Sequence, residues 1–185
     1  MPERIRRDGE RLVLTLHPAE VETLRDLGRQ LETLLDEPDD SVPDPDRGQD
    51  PVRDRLFPRA YLDPTADEEE RDWQSSVHAD LVRQKSEAVE ALMASLEGDV
   101  PSGDRFVEVV LEPETAEQWA AALNDVRLAL GVVLEVTEDD VQLADGDPRA
   151  PGLELYQWLT MMQGVLIDAL LGGSDGIWRA AQDYR

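Results

Sequence analysis

Four stretches of this chain place apolar residues three and four positions apart, a pattern that buries itself only when helix packs on helix. Pro18 suits the first position of a helix, and Val21, Leu24, Leu27, Leu31, Leu34 and Leu35 then repeat at helical spacing to about Asp36. Thr65 and Glu68 form a T-x-x-E capping box, with Asp67, Glu69 and Glu70 adding negative charge at the first turn. The spacing that follows predicts a second helix from about Ala66 to Leu96, with Trp73, Val77, Leu81, Ala88, Leu92 and Leu96 facing inward and Lys85 inside the same arc. Pro113 opens a third helix whose Trp119, Leu123, Val126, Leu130 and Val133 form one apolar face and whose Ala121, Leu128 and Val132 form another, as in a central helix. The fourth stretch runs from Leu153 to Leu171 through Leu155, Trp158, Leu159, Met162, Leu166 and Leu170, and stops at Gly172 and Gly173.

Between the helices the periodicity changes. Leu12, Leu14 and Leu16 alternate in RLVLTL, and RFVEVVL from Arg105 to Leu111 is rich in β-formers, so these two segments are expected to pair. The fold class is therefore mainly α: a bundle of about four long helices with a short two-stranded sheet, in one domain over residues 1–185. Residues 37–51 hold Pro38, Pro43, Pro45 and Pro51 among aspartates and read as an acidic, flexible loop. The segment from Pro51 to Pro64 follows, with Leu56, Phe57, Tyr61 and Leu62 expected to tuck against the core. Thr137 with Asp140 is read as a capped turn, Asp145 to Gly152 as a loop, and Ile177, Trp178 and Tyr184 as a short terminal helix docking back.

Charge narrows the function classes. With 42 acidic residues against 18 lysines and arginines, the net charge is −24, which repels phosphate backbones and anionic lipid surfaces. Membrane partners are not expected and nucleic acid is disfavoured. Arg4, Arg6, Arg7 and Arg11 are the best basic cluster, interleaved with Glu3, Asp8 and Glu10. The sequence has no cysteine, so disulfides, thiolate metal sites and a cysteine nucleophile are excluded. No signal peptide or membrane span is visible, and a cytoplasmic location is the expectation.

Motifs for chemistry are sparse. Asp44, Asp46 and Gly48 resemble part of a calcium loop, but the twelfth position is Arg55; counted from Asp145 it is Tyr156. A solvated turn accounts for Asp145 and Asp147. His17 is placed to cap the helix that Pro18 opens, and His78 lies on a helix flank. No nucleophile elbow, Walker A or dinucleotide fingerprint occurs, and no cofactor or metal is expected. The informative polar residues are those inside apolar patterns: Lys85, Asn124, Asp125, Arg127, Trp158, Thr160 and Gln163. Buried polar groups need partners, so they are expected to form a network joining helices two, three and the last, with Lys85 and Arg127 answering Asp125 or Asp168. The alternative is that they line a pocket for a polar ligand or a partner's peptide.

The stretches WAAALNDVRLALGVVL (119–134) and ELYQWLTMMQGVLIDAL (154–170) resemble the paired motifs of an actinobacterial family of unknown function, and DPVRDRLFPRAYLDP (50–64) resembles its third block. The likeness extends over most of the chain. It implies that the family's polar signature falls on Asn124, Asp125 and Arg127, and on Trp158, Thr160 and Gln163. Gln157 stands where the family has Asp, and Val132 and Val133 where it has Thr and Arg, departures that favour packing over a charged site. The family's genes tend to lie near those for a protease adaptor and for cysteine biosynthesis.

Taken together, these residues point to a non-enzymatic interaction or regulatory protein whose partner is another protein or a second copy, since wide apolar faces on helices three and the last favour a homodimer. Two alternatives stand beside it: a small-molecule- or metal-dependent enzyme using Asp125, Arg127 and His78, and a DNA-binding transcriptional regulator using the N-terminal arginines.

Overall fold

The first long helix starts where the chain closes a reciprocal cap. Glu20 Oε2 accepts from His17 N at 2.7 Å, and His17 Nδ1 accepts from Ala19 N at 3.1 Å, so H-P-A-E works as a capping box with histidine as the cap. In the computed structural model, which describes residues 4–36, 50–58, 67–100, 105–137 and 146–172, this helix is α1 (Pro18–Asp36). The elements in order are β1 (Ile5–Asp8), β2 (Arg11–Leu16), α1, α2 (Pro51–Leu56), α3 (Asp67–Ser95), β3 (Val107–Leu111), α4 (Pro113–Val133) and α5 (Ala150–Leu170).

The mainly helical architecture is as expected, but the sheet has three strands, in the order β1-β2-β3, all antiparallel. The added strand is the arginine-rich segment. Asp8 pairs with Arg11 across a two-residue turn in which Gly9 takes φ +64°, the glycine position of a type II′ hairpin. Ile5, opposite Leu14, is its one buried side chain. Leu14 faces Val109 and Leu12 faces Leu111, so these residues share the face turned to the helices.

Helix α4 is central: it contacts each of the other helices as well as β2 and β3. Its Trp119 is wholly buried, with Ala116, Ala122 and Leu123 beside it. The second face is less covered, with Leu128 and Val132 half-buried and Ala121 exposed. α1 crosses α3 where Gly28 leaves room for Met93, since a Cβ at residue 28 would overlap Met93 Sδ. α4 ends in a Schellman arrangement, with Glu135 N donating to Val132 O at 3.0 Å and Val136 N to Gly131 O at 2.9 Å. Glu135 occupies the left-handed position there, at φ 51°.

Boundaries differ in three places. β3 starts at Val107 rather than Arg105, α5 starts at Ala150 rather than Leu153 because Pro151 fits its first turn, and the segment expected to tuck against the core from Pro51 opens as the short helix α2, with Leu56 buried. Asp50 caps α2, accepting from Val52 N at 3.0 Å and Arg53 N at 3.2 Å. The acidic loop before Asp50, the Thr65 side of the capping box, Tyr61, Leu62, Asp140 and the terminal helix around Ile177 lie outside the described residues.

Candidate functional site

Phe57, at the C-terminal cap of α2, meets α3 through His78 and Lys85. The His78 ring lies 4.8 Å from its centroid, Lys85 Nζ 5.7 Å and Arg53 Cζ 5.8 Å, so α3 and α2 turn cationic or aromatic groups toward one ring face or edge. Lys85 Nζ donates to Asp125 Oδ1 at 2.7 Å, joining α3 to α4. Asp125 is 4% exposed. Burial raises its carboxyl above the ordinary aspartate range, opposed by the hydrogen bond and positive charge of Lys85. Arg53 Nη1 also donates to Leu34 O at 3.3 Å, which ties α2 to the end of α1.

The other predicted polar residues make separate contacts rather than one network. Arg127 does not answer Asp125 or Asp168; its Nη2 donates to Asn124 Oδ1 at 3.1 Å on its own helix, the neighbour that a three-residue separation provides. Gln163 Nε2 reaches from α5 to Ala120 O on α4 at 3.2 Å. Thr160 Oγ1 donates to Tyr156 O within α5 and is exposed. Trp158 Nε1 donates to Glu20 Oε1 at 3.1 Å, across to α1. Of the enzyme alternative's three residues, Asp125 and His78 meet through Lys85 and Phe57, while Arg127 turns aside.

Two anchoring residues, Glu20 and Arg25, look in the sequence pattern much like other surface charges. Glu20, besides capping α1 and accepting from Trp158, pairs with Arg4. One side chain thus holds α1, α5 and the residue that leads into β1 together. Its one signal is H-P-A-E, a capping box that lacks the usual Ser or Thr. Arg25 crosses from α1 to the end of α3, donating to Leu96 O at 3.0 Å and Gly98 O at 2.7 Å. It satisfies carbonyls that a helix end leaves open. The shallow groove of about 100 Å³ there is lined by Arg25, Leu96 to Val100 and Val107 to Val109, and includes neither Lys85 nor Asp125.

The N-terminal arginines are engaged within the chain. Arg4 pairs with Glu20, Arg6 Nη2 with Glu108 at 3.5 Å and Arg11 Nε with Glu112 at 2.6 Å, while Arg7 donates to Ala169 O. Asp147 is likewise not a solvated turn residue: Arg149 Nη2 meets its Oδ2 at 3.0 Å and Arg149 Nη1 reaches Leu134 O at 3.1 Å, fastening the start of α5 to the end of α4. Among the described residues no three histidine or carboxylate side chains group as a metal site, and no helix is long and apolar enough to cross a membrane.

Chemically, the Lys85–Asp125 pair holds a proton donor against a buried carboxylate, with the hydrogen bond between them already made. Its evident effect is to fix α3 on α4.

A family model described as a domain of unknown function, DUF2017, matches residues 2–170. The oxidative stress regulators AosR of Mycobacterium bovis and Mycobacterium tuberculosis are each 31% identical over 191 aligned residues, covering 90% of this chain and 85% of the relative. No solved structure matches.

Proposed function

The chain belongs to the DUF2017 family, and from that premise we propose that it is a non-enzymatic regulator of the response to oxidative stress that acts by contacting another protein. The observation that carries this reading is the 31% identity to proteins named oxidative stress regulators, which extends over 90% of the chain. Similarity of that reach aligns the whole helical core, not one motif. The internal geometry supports it. Asp125, Trp158 and Gln163 each bond to another helix, and each of those bonds has a structural use. DNA contact by the N-terminal arginines has less support, because Arg4, Arg6 and Arg11 face carboxylates of the same chain. A partner of complementary, basic surface suits a chain of net charge −24. Exposed apolar side chains for a partner are Ile167 and Leu171 near the C-terminal end of α5 and Val133 at the C-terminal end of α4; a second copy, carrying the same charge, would have to dock through these rather than through charge complementarity.

Deleting the gene in its native host and comparing transcripts before and after a peroxide challenge tests the reading. The expected result is a changed set of oxidant-responsive transcripts, restored by the wild-type gene. An identical response in the deletion strain overturns it.

A further inference from the structure

The seam between α1 and α3 is closed by a sulfur. Met93 Sδ fills the volume that a side chain at position 28 would claim, and a Cβ there would also stand 3.2 Å from Met93 Cγ. Leu24 and Leu31 of α1 and Leu92 and Leu96 of α3 are buried around this crossing. Met93 itself is half-buried, at the rim of that core. One turn on, Arg25 holds the end of α3 through Leu96 O and Gly98 O. The seam therefore depends on an oxidisable thioether packed against bare backbone, beside one guanidinium.

We propose that Met93 is an oxidation-sensitive latch: a two-electron, oxygen-transferring oxidant converts its thioether to the sulfoxide and loosens the C-terminal end of α3 from α1. The proposal rests on the oxidative-stress reading above, and on a sequence with no cysteine to receive the oxidant. With hypochlorous acid, the sulfur lone pair takes the oxygen, the O–Cl bond breaks, sulfur loses two electrons, and chloride and a proton leave. With hydrogen peroxide the O–O bond breaks and water leaves. The new S–O group is a strong acceptor on a side chain that had been apolar. To reach water or a donor the new oxygen must turn out of the gap over Gly28, which pulls the side chain out of the space that its sulfur fills. Met162 is 1% exposed and sealed from such reagents. Met161 is half-buried on α5, outside the seam, and like Met1 is a competing target.

The test treats the purified full chain with a small molar excess of hypochlorite, locates oxygen uptake by peptide mass spectrometry and follows the thermal melt. Met93 is expected to gain one oxygen before Met162, and the melting temperature to fall by about 4 °C or more, a shift that methionine sulfoxide reductase reverses. Met161→Leu should lose as much as the wild type, whereas Met93→Leu should keep its melting temperature. The latch is overturned if Met93 stays reduced in folded protein, if its oxidation leaves the melt unchanged, or if Met93→Leu is destabilised as much as the wild type. These outcomes are independent of the deletion phenotype, so the latch and the regulatory reading fail separately.

Discussion

Lys85 and Asp125 are unequal partners. Asp125 has 5% of its side chain exposed and Lys85 has 19%, so the ammonium has a route to water that the carboxylate lacks. Removing one partner of a buried pair strands the other, and the stranded group that cannot reach solvent costs more. Lys85→Met is therefore expected to lose about 3 kcal/mol at neutral pH, and Asp125→Ala less, as read from urea unfolding. The pH dependence has a definite sign. The Asp125 carboxyl is raised in the folded state by burial, so the fold holds this proton longer than the unfolded chain does, and the contribution of this group to stability falls as pH rises. Without Lys85 both opposing influences vanish, and the Lys85→Met deficit should shrink from about pH 7 to about pH 5. A deficit that grows on acidification contradicts this. Both residues stood out in the sequence as charges inside apolar arcs. The bond of Trp158 to Glu20 did not, because it depends on how α5 crosses α1, a placement that no local spacing encodes.

Element ends explain most of what holds the helices in place. α4 stops with Glu135 in the left-handed region, where a Cβ is crowded and glycine is not. Glu135→Gly is expected to stabilise the protein by about 1 kcal/mol, raising its melting temperature by about 2–4 °C; a loss of stability would show that the glutamate side chain has a compensating role. The long helices were legible because each carries five or more apolar residues at one period with a proline or a capping pattern near its start. β1 is hard to see in the sequence because only Ile5 in it is apolar, and a run of arginines masks the Asp8–Gly9 turn that marks the hairpin. α2 is hidden by its length: at six residues it carries no periodicity, and its Asp50 cap and Pro51 look like a continuation of the preceding proline-rich stretch.

At the scale of the whole molecule, a net charge of −24 sets the background against which every local contact acts. Like charges repel more in the compact state, and salt screens them, so the melting temperature should rise between low and physiological ionic strength. A fall would mean that pairs such as Arg6–Glu108 and Arg11–Glu112 outweigh the repulsion, although both are largely exposed. We propose that the polar groups set into the helical core serve to lock helices together rather than to perform a reaction. Replacing the pair by an apolar one, Lys85→Met with Asp125→Leu, removes its chemistry while keeping its volume, a change that buried ion pairs often tolerate. The most direct measurement is therefore the peroxide-induced transcript response of the deletion strain carrying this double variant. The expected response equals that restored by the wild-type gene. A double variant that melts at the wild-type temperature yet restores no response would contradict it.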